Sequence, residues 1–494
     1  METSYSGVKA LVMGLGLHGG GLGAACFLAR RGAELTVTDL RDESVLRPSI
    51  EALDGFIAGI NAKPVRYVLG RHDKKDFSRA GIVIKNPGVP PDSPYLRATR
   101  LVETDISLFL KHNPAKLTAV TGSKGKSFTA SAIHFLFQEA CMSGKIQGRA
   151  FLGGNITVSP LTFLDELTPA DEVVLELSSW QLGDLPPGLL KPRSAVLTAI
   201  MSDHLDRYGA MEAYVKDKRV IYEAQDRDDA TIAGDDSWGK SFLRESKGRV
   251  YCYRREAPSS AEGFDIPGAF FDKTSGACFV RGPVGCIPFG EKAEIAPALV
   301  RVPGLHQKIN LMAAALAALE RGLAPEFISE CTGRFPGIEH RMEFFCENNG
   351  ARFYNDTAAT IPEAACAAIK ALGSPVVVTG GTDKNLDFSP LADALLDAAA
   401  VILLDGTGSD KLIPMLEERH IPWSGPFDNI DEAASAACRA ALPGGAVILS
   451  PGCASFGMFN DEFDRGRKWK AAVRELTQIK ANNETWSADY ADFR

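Results

Sequence analysis

This chain of 494 residues has too little positive charge for a typical nucleic-acid-binding protein. Its 54 lysines and arginines are outnumbered by 62 aspartates and glutamates, the formal net charge is −8, and no basic stripe stands out. No apolar run is long enough to cross a bilayer. The first residues also lack a basic region followed by a long apolar stretch, which a signal peptide requires. We therefore expect a cytoplasmic protein without a nucleic-acid or membrane partner.

The 10 cysteines include no C-x-x-C pair and no metal-finger spacing, which argues against a zinc finger and against a disulfide scaffold. The chain also lacks internal repeats and low-complexity tracts. What remains is the composition of a soluble enzyme, and the length predicts roughly three domains.

A glycine- and lysine-rich stretch, G-S-K-G-K-S at residues 122–127, follows a strand-like segment and opens a helix-like one. Such a loop turns backbone N–H groups toward a phosphate at a helix N-terminus, where Lys126 contacts the β- and γ-phosphates and Ser127 binds Mg²⁺. A standard phosphate loop has glycine at the position of Val120, so this loop is a shorter variant. We predict nucleotide binding; the alternative is a glycine-rich turn that only starts a helix.

A second glycine pattern lies near the N-terminus. Gly14, Gly16 and Gly19 have G-x-G-x-x-G spacing between a predicted strand and a predicted helix, and Asp39 ends the next strand. This is the dinucleotide-binding fingerprint in its usual context, although it does not distinguish NAD from another nucleotide. The alternative is a tight turn without a ligand.

Strand-like and helix-like segments alternate along most of the chain. Predicted strands cover 8–13, 33–38, 82–84, 173–177, 194–200, 352–354, 376–378, 401–404 and 446–449, and predicted helices include 22–31, 212–223 and 309–320. This alternation predicts an α/β fold with parallel sheets covered by helices on both faces. Helical periodicity is lost between residues 231 and 300, which predicts a small β-rich excursion.

Three features follow the phosphate loop in the chain. Glu176 ends a buried strand, where a carboxylate is a natural Mg²⁺ ligand opposite a triphosphate. The segment DHLDR at 203–207 follows the next strand, and Lys218 lies on the helix after it. Taken alone, His204 is more often a core or surface residue, and Lys218 a solvated side chain. Their order on consecutive strand–helix units favours a functional site.

These motifs resemble the Mur ligase family, the ATP-dependent amide-forming enzymes of peptidoglycan assembly, and the resemblance covers essentially the whole chain. Its hallmark segments occur in the family's order as GSKGKS (122–127), GGN (153–155), LELSSWQL (175–182), DHLDR (203–207), GLHQKIN (304–310) and GIEHRME (337–343). The N-terminal segment, GGTDKNLDF (380–388) and LSPGCASFGMF (449–459) are similar to family members that add D-glutamate.

The resemblance implies three domains: a Rossmann-like domain that binds a UDP-sugar (1–104), a central ATP-binding P-loop domain with a parallel sheet (105–337), and a C-terminal Rossmann-like α/β domain that binds the amino acid (338–494). It implies ATP-dependent ligation of D-glutamate to UDP-N-acetylmuramoyl-L-alanine through an acyl phosphate, in a monomer. The implied cofactors are ATP, two Mg²⁺ ions and a carboxylated Lys218. An ammonium beside Mg²⁺ would be repelled, whereas a carbamate is an anionic oxygen ligand.

The resemblance also assigns roles to individual residues. The ATP-binding residues are Gly122, Ser123, Lys124, Gly125, Lys126, Ser127, Phe128, Asn310, Arg341 and Asp356. The UDP-substrate residues are Leu17, His18, Asp39, Arg41, Asn86, Gly88, Asn155 and Ser178. The D-glutamate residues are Thr360, Lys384, Ser455 and Phe456. The catalytic residues are Lys126, Glu176, His204 and Lys218, and the Mg²⁺ ligands are Ser127, Glu176, His204 and the Lys218 carbamate.

The sequence departs from the family pattern at several positions. Lys124 replaces the usual asparagine of the phosphate loop, and Ala358 removes a lysine from the amino-acid site, which leaves Lys384 as the main cation there. Three alternatives remain open. They are a sibling Mur or folate-polyglutamylating ligase, an NAD-dependent dehydrogenase built on the N-terminal fingerprint, and a non-catalytic nucleotide-binding regulator.

Overall fold

The computed structural model describes residues 4–17, 19–156, 158–203, 205–257, 266–281 and 292–477. The chain divides into two compact units. The first unit comprises the residues up to 299 together with 308–333, and the second comprises 300–307 together with the residues from 334 onward. None of the helices that the structure describes has the length and hydrophobicity needed to cross a membrane.

The first sheet of the first unit is parallel throughout, in the strand order β3-β2-β1-β4-β5. Its strands are β1 (Lys9–Met13), β2 (Glu34–Asp39), β3 (Arg66–Leu69), β4 (Ile82–Lys85) and β5 (Val102–Glu103). Its helices are α1 (Gly20–Arg30), α2 (Glu43–Gly59), α3 (Lys74–Arg79) and α4 (Asp105–His112). All four residues of β4 are buried, as expected of a strand covered on both faces.

The second sheet of the first unit has the order β14-β13-β12-β11-β10-β9-β6-β8-β7. Its strands are β6 (Lys116–Thr121), β7 (Ala150–Gly154), β8 (Glu172–Glu176), β9 (Ser194–Leu197), β10 (Ala230–Gly234), β11 (Arg249–Arg254), β12 (Gly268–Phe271), β13 (Cys278–Arg281) and β14 (Ala293–Ala296). The accompanying helices are α5 (Lys126–Met142), α6 (Ser179–Gly183), α7 (Leu205–Tyr208), α8 (Met211–Glu223), α9 (Ser237–Glu245), α10 (Leu305–Glu320) and α11 (Pro325–Arg334).

The sheet of the second unit has the order β15-β16-β20-β17-β18-β19. Its strands are β15 (Glu343–Asn348), β16 (Ala351–Asn355), β17 (Val376–Gly380), β18 (Ala400–Leu404), β19 (Trp423–Phe427) and β20 (Ala446–Leu449). Its helices are α12 (Pro362–Leu372), α13 (Ser389–Ala394), α14 (Thr407–Glu418), α15 (Ile430–Ala440) and α16 (Glu462–Thr477). Only β15 runs antiparallel to its neighbour among the pairings described for this sheet.

The structure confirms the predicted α/β class, with three sheets that are mostly parallel. The predicted β-rich excursion was incomplete, because α9 lies inside it. Asp236 caps that helix by accepting hydrogen bonds from the N–H groups of Trp238 and Gly239, and Phe242 and Leu243 bury its apolar face. The excursion does hold antiparallel pairs, β12 with β13 and β13 with β14. Residues 258–265 and 282–291 of it lie outside the described part of the chain.

Candidate active site

The phosphate loop connects the end of β6 to the start of α5, at the carboxyl edge of the second sheet. Gly122 and Gly125 have φ values of 151° and 89°, a region that favours glycine. A Cβ at Gly122 would lie 1.9 Å from Oγ1 of Thr198, and one at Gly125 would lie 2.5 Å from Oδ1 of Asn310. The backbone therefore needs glycine at both positions. The same contact places Asn310, one of the predicted ATP-binding residues, against this loop.

Hydrogen bonds hold the loop in its conformation. The Ser123 N–H donates to the carbonyl of Ala199 at 2.9 Å, and the Ser123 hydroxyl lies 2.9 Å from the hydroxyl of Tyr214 on α8. Lys126, the first residue of α5, donates from Nζ to the carbonyl of Ser123 at 3.1 Å. Burial lowers the pKa of Lys126, and the negative charges of Glu176 and Asp203 act against this shift. A cation thus lies at a helix N-terminus, the arrangement that binds anions.

Glu176 ends β8 beside the phosphate loop and is only 1% exposed. Its Oε1 accepts a hydrogen bond from Nδ2 of Asn155 at 3.0 Å. Its Oε2 is buried and has no hydrogen-bond partner among the described residues. A buried carboxylate oxygen without a donor is unfavourable unless a cation or ordered water satisfies it. The chemistry of Glu176 therefore fits a metal ligand.

Lys218 extends from α8 to the underside of the phosphate loop and is 1% exposed. Its Nζ donates to the carbonyl of Gly122 at 2.8 Å and lies 4.5 Å from the ring centroid of Tyr214. Burial, and then the charge of Lys126, lower the pKa of Lys218 to about 7. A primary amine in this state is largely available in its neutral form near physiological pH.

The other predicted site residues near the phosphate loop differ in their burial and their hydrogen bonds. Ser178 caps α6, and its hydroxyl accepts the N–H of Gln181 at 3.2 Å. Lys124 is exposed, whereas Phe128 is buried in the core below the loop. Ser127 is half-buried on the first turn of α5. The predicted roles of His18 and His204 fall on residues outside the described part of the chain. Within that part, no group of three or more His, Cys, Asp or Glu side chains is poised to hold a metal.

The N-terminal glycine turn packs against Asp39, the acidic residue that ends β2. Gly16 donates its N–H to Oδ2 of Asp39 at 3.2 Å, and Arg41 donates its N–H to Oδ1 at 3.0 Å. Leu17 on the turn is 45% exposed. Asn86 approaches from the end of β4, since a Cβ at Gly14 would lie 2.8 Å from the Cβ of Asn86. The structure thus gathers these predicted UDP-substrate residues at one edge of the first sheet.

Two buried charged residues of the first unit were given no role from the sequence. Lys85, at the end of β4, forms a buried ion pair with Asp184 across 2.6 Å. Asp105, at the start of α4, is buried and accepts a hydrogen bond from the Ser159 hydroxyl at 3.3 Å. Burial raises the pKa of Asp105. Both residues line a cleft beside the glycine turn. Lys85 directly follows the predicted strand 82–84, and the structure extends that buried strand to include it.

In the second unit, Asp356 follows β16 and is 5% exposed. Its Oδ1 accepts the N–H of Met342 at 3.0 Å, and its Oδ2 accepts the Ser450 hydroxyl at 2.7 Å. Burial raises the pKa of Asp356 to about 6, against those hydrogen bonds and the positive charge of Arg341. Arg341 itself is exposed.

The predicted D-glutamate residues lie on three loops at the carboxyl edge of the third sheet. Thr382 and Ala454 exchange backbone hydrogen bonds of 3.1 and 2.9 Å, which joins the loop of Lys384 to the loop of Ser455 and Phe456. The N–H of Gly452 donates to the carbonyl of Ala359 at 2.8 Å, beside Thr360. Ser455 is 4% exposed, and Lys384 projects from its loop as an exposed side chain.

Arg465 is a further residue of this region without a role predicted from sequence. It is fully buried and lines a cleft together with Ser455 and Phe456. Its guanidinium donates to Oγ1 of Thr357 at 3.0 Å and to the carbonyls of Cys453 and Ala454 at 3.2 Å each. It therefore fixes the loop that carries Ser455 against the loop that precedes Thr360. In the sequence, Arg465 lies in the segment EFDRG that opens α16.

A phosphate loop with a buried carboxylate and a buried amine, together with a separate nucleotide-type glycine turn, defines a nucleotide-dependent enzyme of several α/β domains. Sequence signatures agree with this class. The signature described as "Mur ligase MurD-like, N-terminal domain" matches residues 8–107, "Mur ligase middle domain" matches 120–318, and "Mur ligase, glutamate ligase domain" matches 340–453.

Two curated relatives match almost the whole chain. A protein of Treponema pallidum (strain Nichols) named UDP-N-acetylmuramoylalanine–D-glutamate ligase is 40% identical, covering 95% of this chain and 98% of that protein. A Roseiflexus sp. (strain RS-1) protein of the same name is 39% identical, covering 96% and 99%. The chain therefore belongs to the Mur ligase family, whose members are ATP-dependent ligases, as its motifs predicted.

Solved structures agree at the level of the fold. The UDP-N-acetylmuramate-alanine ligase MurC from Thermotoga maritima superposes with a TM-score of 0.54 at 15% identity, covering 95% of this chain and 100% of that one. MurF from Acinetobacter baumannii gives a TM-score of 0.52 at 14% identity, covering 95% and 94%. With the family established, the dehydrogenase alternative is set aside.

Proposed function

We propose that this protein uses ATP to ligate D-glutamate to UDP-N-acetylmuramoyl-L-alanine, releasing ADP and phosphate, as a step in peptidoglycan precursor synthesis. The observation that carries the proposal is the near-full-length agreement with relatives named for this reaction, including the MurD-like N-terminal domain. The phosphate loop and the buried groups around it supply the matching chemistry.

The chemistry has two steps. The carboxylate of the alanyl group attacks the γ-phosphorus, the bond from that phosphorus to the bridging oxygen breaks, and ADP leaves. The amine of D-glutamate then attacks the acyl carbon of the acyl phosphate, loses a proton, and phosphate departs as the amide forms. In the first step two anions must approach each other, so catalysis depends on positioning and charge neutralisation. Lys126 is the cation placed to neutralise the phosphates.

We assign one Mg²⁺ to Ser127 and Glu176, and a second to His204 and a carboxylated Lys218. The unpartnered Oε2 of Glu176 supports a cation at that carboxylate. When bound, Mg²⁺ neutralises the negative charge of the triphosphate. Asn155 holds the other carboxylate oxygen at 3.0 Å and so orients Glu176.

Carboxylation of Lys218 would convert a buried cation into an anion. The neutral amine attacks CO₂, a C–N bond forms, and one proton leaves to solvent. The burial of Lys218 makes the neutral amine available for this attack, because it disfavours the charged ammonium. Two cations, Lys126 and Lys218, otherwise lie close to one loop, and a carbamate removes their mutual repulsion.

We place the UDP group at the glycine turn of the first sheet, bordered by Leu17, His18, Asp39 and Arg41, with Asn86 and Gly88 toward the pyrophosphate. Asn155 and Ser178 then face the muramoyl group. Asp39 supports this placement because it ends β2 and accepts the N–H of Gly16 from the turn.

We place the remaining contacts as follows. Asn310, Arg341 and Asp356 contact the adenosine and phosphate side of ATP. D-glutamate binds to Thr360, Lys384, Ser455 and Phe456, with Lys384 as the main cation because Ala358 cannot supply one. We also propose the domain limits 1–104, 105–337 and 338–494, a monomer, and a cytoplasmic location, where ATP and UDP-linked precursors are available.

A single assay tests the proposed function. Phosphate release from ATP should require both UDP-N-acetylmuramoyl-L-alanine and D-glutamate, and a panel of other amino acids should not replace D-glutamate. Release with a diamino acid instead would favour a sibling ligase, and no release with any combination would favour a non-catalytic regulator.

A further inference from the structure

Lys85 and Asp184 form a buried ion pair between the first and second sheets of the first unit. Their side chains are 3% and 5% exposed, and Nζ of Lys85 lies 2.6 Å from Oδ2 of Asp184. Lys85 ends β4 of the first sheet, whereas Asp184 is the C-cap residue of α6, which follows β8 of the second sheet. A buried pair of this kind contributes little net stability compared with apolar side chains, so its specific geometry calls for another explanation.

The ammonium of Lys85 has two further hydrogen bonds. Nζ donates to the carbonyl of Val89 at 2.8 Å and approaches that of Asn86 at 3.4 Å. It therefore closes the turn of residues 86–89, in which the N–H of Gly88 also donates to Oδ1 of Asn86 at 3.0 Å. An ammonium has three donors, and in this arrangement all three are directed to this turn or to Asp184.

The pair joins two elements that carry proposed contacts to the UDP-substrate. On one side lies the turn with Asn86 and Gly88. On the other side, Ser178 is the N-cap residue of α6 and Asp184 is its C-cap residue. Trp180 of α6 also stacks under the guanidinium of Arg207, 4.2 Å from the ring centroid. The ion pair thus joins the turn of residues 86–89 to the C-terminal end of α6.

Opposing effects act on the ionisation of the pair, and burial is the largest of them. Burial lowers the pKa of Lys85 and raises the pKa of Asp184, and the opposite charge of the partner acts against both shifts. Arg207 stabilises the carboxylate of Asp184 but opposes the ammonium of Lys85, and Asp217 opposes the carboxylate.

We propose that Lys85 is a positioning residue: through Asp184 it holds the turn of residues 86–89 and α6 at the separation that the UDP-linked substrate spans. This inference rests on the proposed function. Lys85 then acts on binding of the UDP-linked substrate and not on ATP or on the amino acid.

The main test is the double variant Lys85→Met/Asp184→Leu. It removes the ion pair without leaving one charge buried and unpaired. The expected result is a KM for UDP-N-acetylmuramoyl-L-alanine raised about tenfold, with the KM values for ATP and D-glutamate within about twofold of the parent. The milder variant Asp184→Asn keeps an oxygen acceptor for Lys85 and should give an intermediate KM. If the double variant does not fold, the KM of Asp184→Asn for UDP-N-acetylmuramoyl-L-alanine tests the proposal instead.

Asp165→Asn is the matched control. Arg30 and Arg31, at the far end of α1 from the glycine turn, also form ion pairs that reach from the N-terminal segment to Asp165 after β7. If the loss of any ion pair between the N-terminal segment and the segment after β7 weakened binding of the UDP-linked substrate, Asp165→Asn would also raise the KM for UDP-N-acetylmuramoyl-L-alanine. Under the proposal it leaves all three KM values within about twofold of the parent.

The outcomes separate the inference from the proposed function. A parent enzyme that ligates D-glutamate, with an unchanged KM for the UDP-substrate in both Asp184 variants, overturns the positioning role alone. An equal rise in the KM for ATP, or an equal effect of Asp165→Asn, also overturns it. A parent enzyme that cannot use the UDP-substrate overturns both.

Discussion

The charge of the proposed phosphate site depends on the state of one buried side chain, Lys218. Its Nζ lies 2.8 Å from the carbonyl of Gly122 in the phosphate loop, and burial lowers its pKa to about 7. We expect Lys218→Ala to lose most activity, and acetate or formate to restore part of it, because a small carboxylate can replace the anionic oxygen of a carbamate. The measurement is phosphate release with and without each additive.

The pH dependence has a defined sign. CO₂ reacts with the neutral amine, so carboxylation of the parent should increase as the pH rises through about 7, well below the range of an ordinary lysine. Incorporation of ¹³C-labelled CO₂, followed by NMR, measures it directly. Rescue of Lys218→Ala by methylamine, but not by acetate, would instead mean that Lys218 acts as a plain cation.

Asp356 carries the clearest link between pH and stability. Its pKa is raised from 3.8 to about 6 in the folded protein, so between these values the folded state binds more protons than the unfolded state. The associated stability is present below about pH 4 and is lost as the pH rises through about 6. Above that pH the charged carboxylate costs about 2–3 kcal/mol, at about 1.36 kcal/mol for each pKa unit.

We therefore expect Asp356→Asn to raise the free energy of unfolding at pH 7 and to have little effect at pH 4. The amide can still accept the N–H of Met342 and donate to the hydroxyl of Ser450, which hold the carboxylate in the parent. Denaturant unfolding at both pH values measures the effect, and exposed Asp397→Asn is the control. A lower stability at pH 7 would mean that attraction from Arg341 outweighs burial.

At the scale of one element, the glycine turn of the first sheet tolerates no side chain at the start of α1. A Cβ at Gly21 would lie 2.3 Å from the carbonyl oxygen of Gly14 and 2.4 Å from that of Leu15, so the turn would have to open. We expect Gly21→Ala to weaken UDP binding at least tenfold, or about 1.4 kcal/mol. Calorimetric titration with UDP and with NAD measures this, and the parent should bind UDP in preference.

Gly55→Ala on α2 of the same sheet is the matched control. A Cβ there meets nothing within 4 Å, and alanine in a helix is more stable than glycine by about 0.5–1 kcal/mol. UDP binding should be unchanged in this variant. Equal losses in both variants, or tighter binding of NAD than of UDP, would contradict the assignment of this turn.

The elements were predictable where local pattern decides the structure. The buried strands β8 and β17 and the helices α8 and α10 lie within a few residues of their predicted positions. Helix α9 was missed because it is short and lies among strands, and its capping residue Asp236 was the available signal. Strand β15 pairs antiparallel at a sheet edge, a choice that tertiary packing makes and that local propensity does not.

At the scale of the whole molecule, the order of motifs predicted the family and the succession of sheets. The sequence did not predict the contacts that join distant segments. Lys85 and Asp184 are 99 residues apart, and Arg465 reaches Thr357 across 108 residues. The partners of Lys85 and Arg465 can be identified only from the structure, in which the strand order brings two loops to the same edge of a sheet. The pattern of a single sequence does not indicate which distant residues contact each other.

The proposed amino-acid contacts all belong to the second unit. Under the proposed function, Ala358 supplies no cation to the acceptor loops, so we expect Lys384 to be the main cation that pairs with a carboxylate of D-glutamate. We expect Lys384→Ala to raise the KM for D-glutamate at least tenfold and the KM for ATP by less than twofold, since an interaction with one substrate affects its own KM. The control is Lys370→Ala, on α12 of the same unit. Ligation of L-lysine or diaminopimelate by the parent, or an equal rise in both KM values, would show that Lys384 does not select D-glutamate.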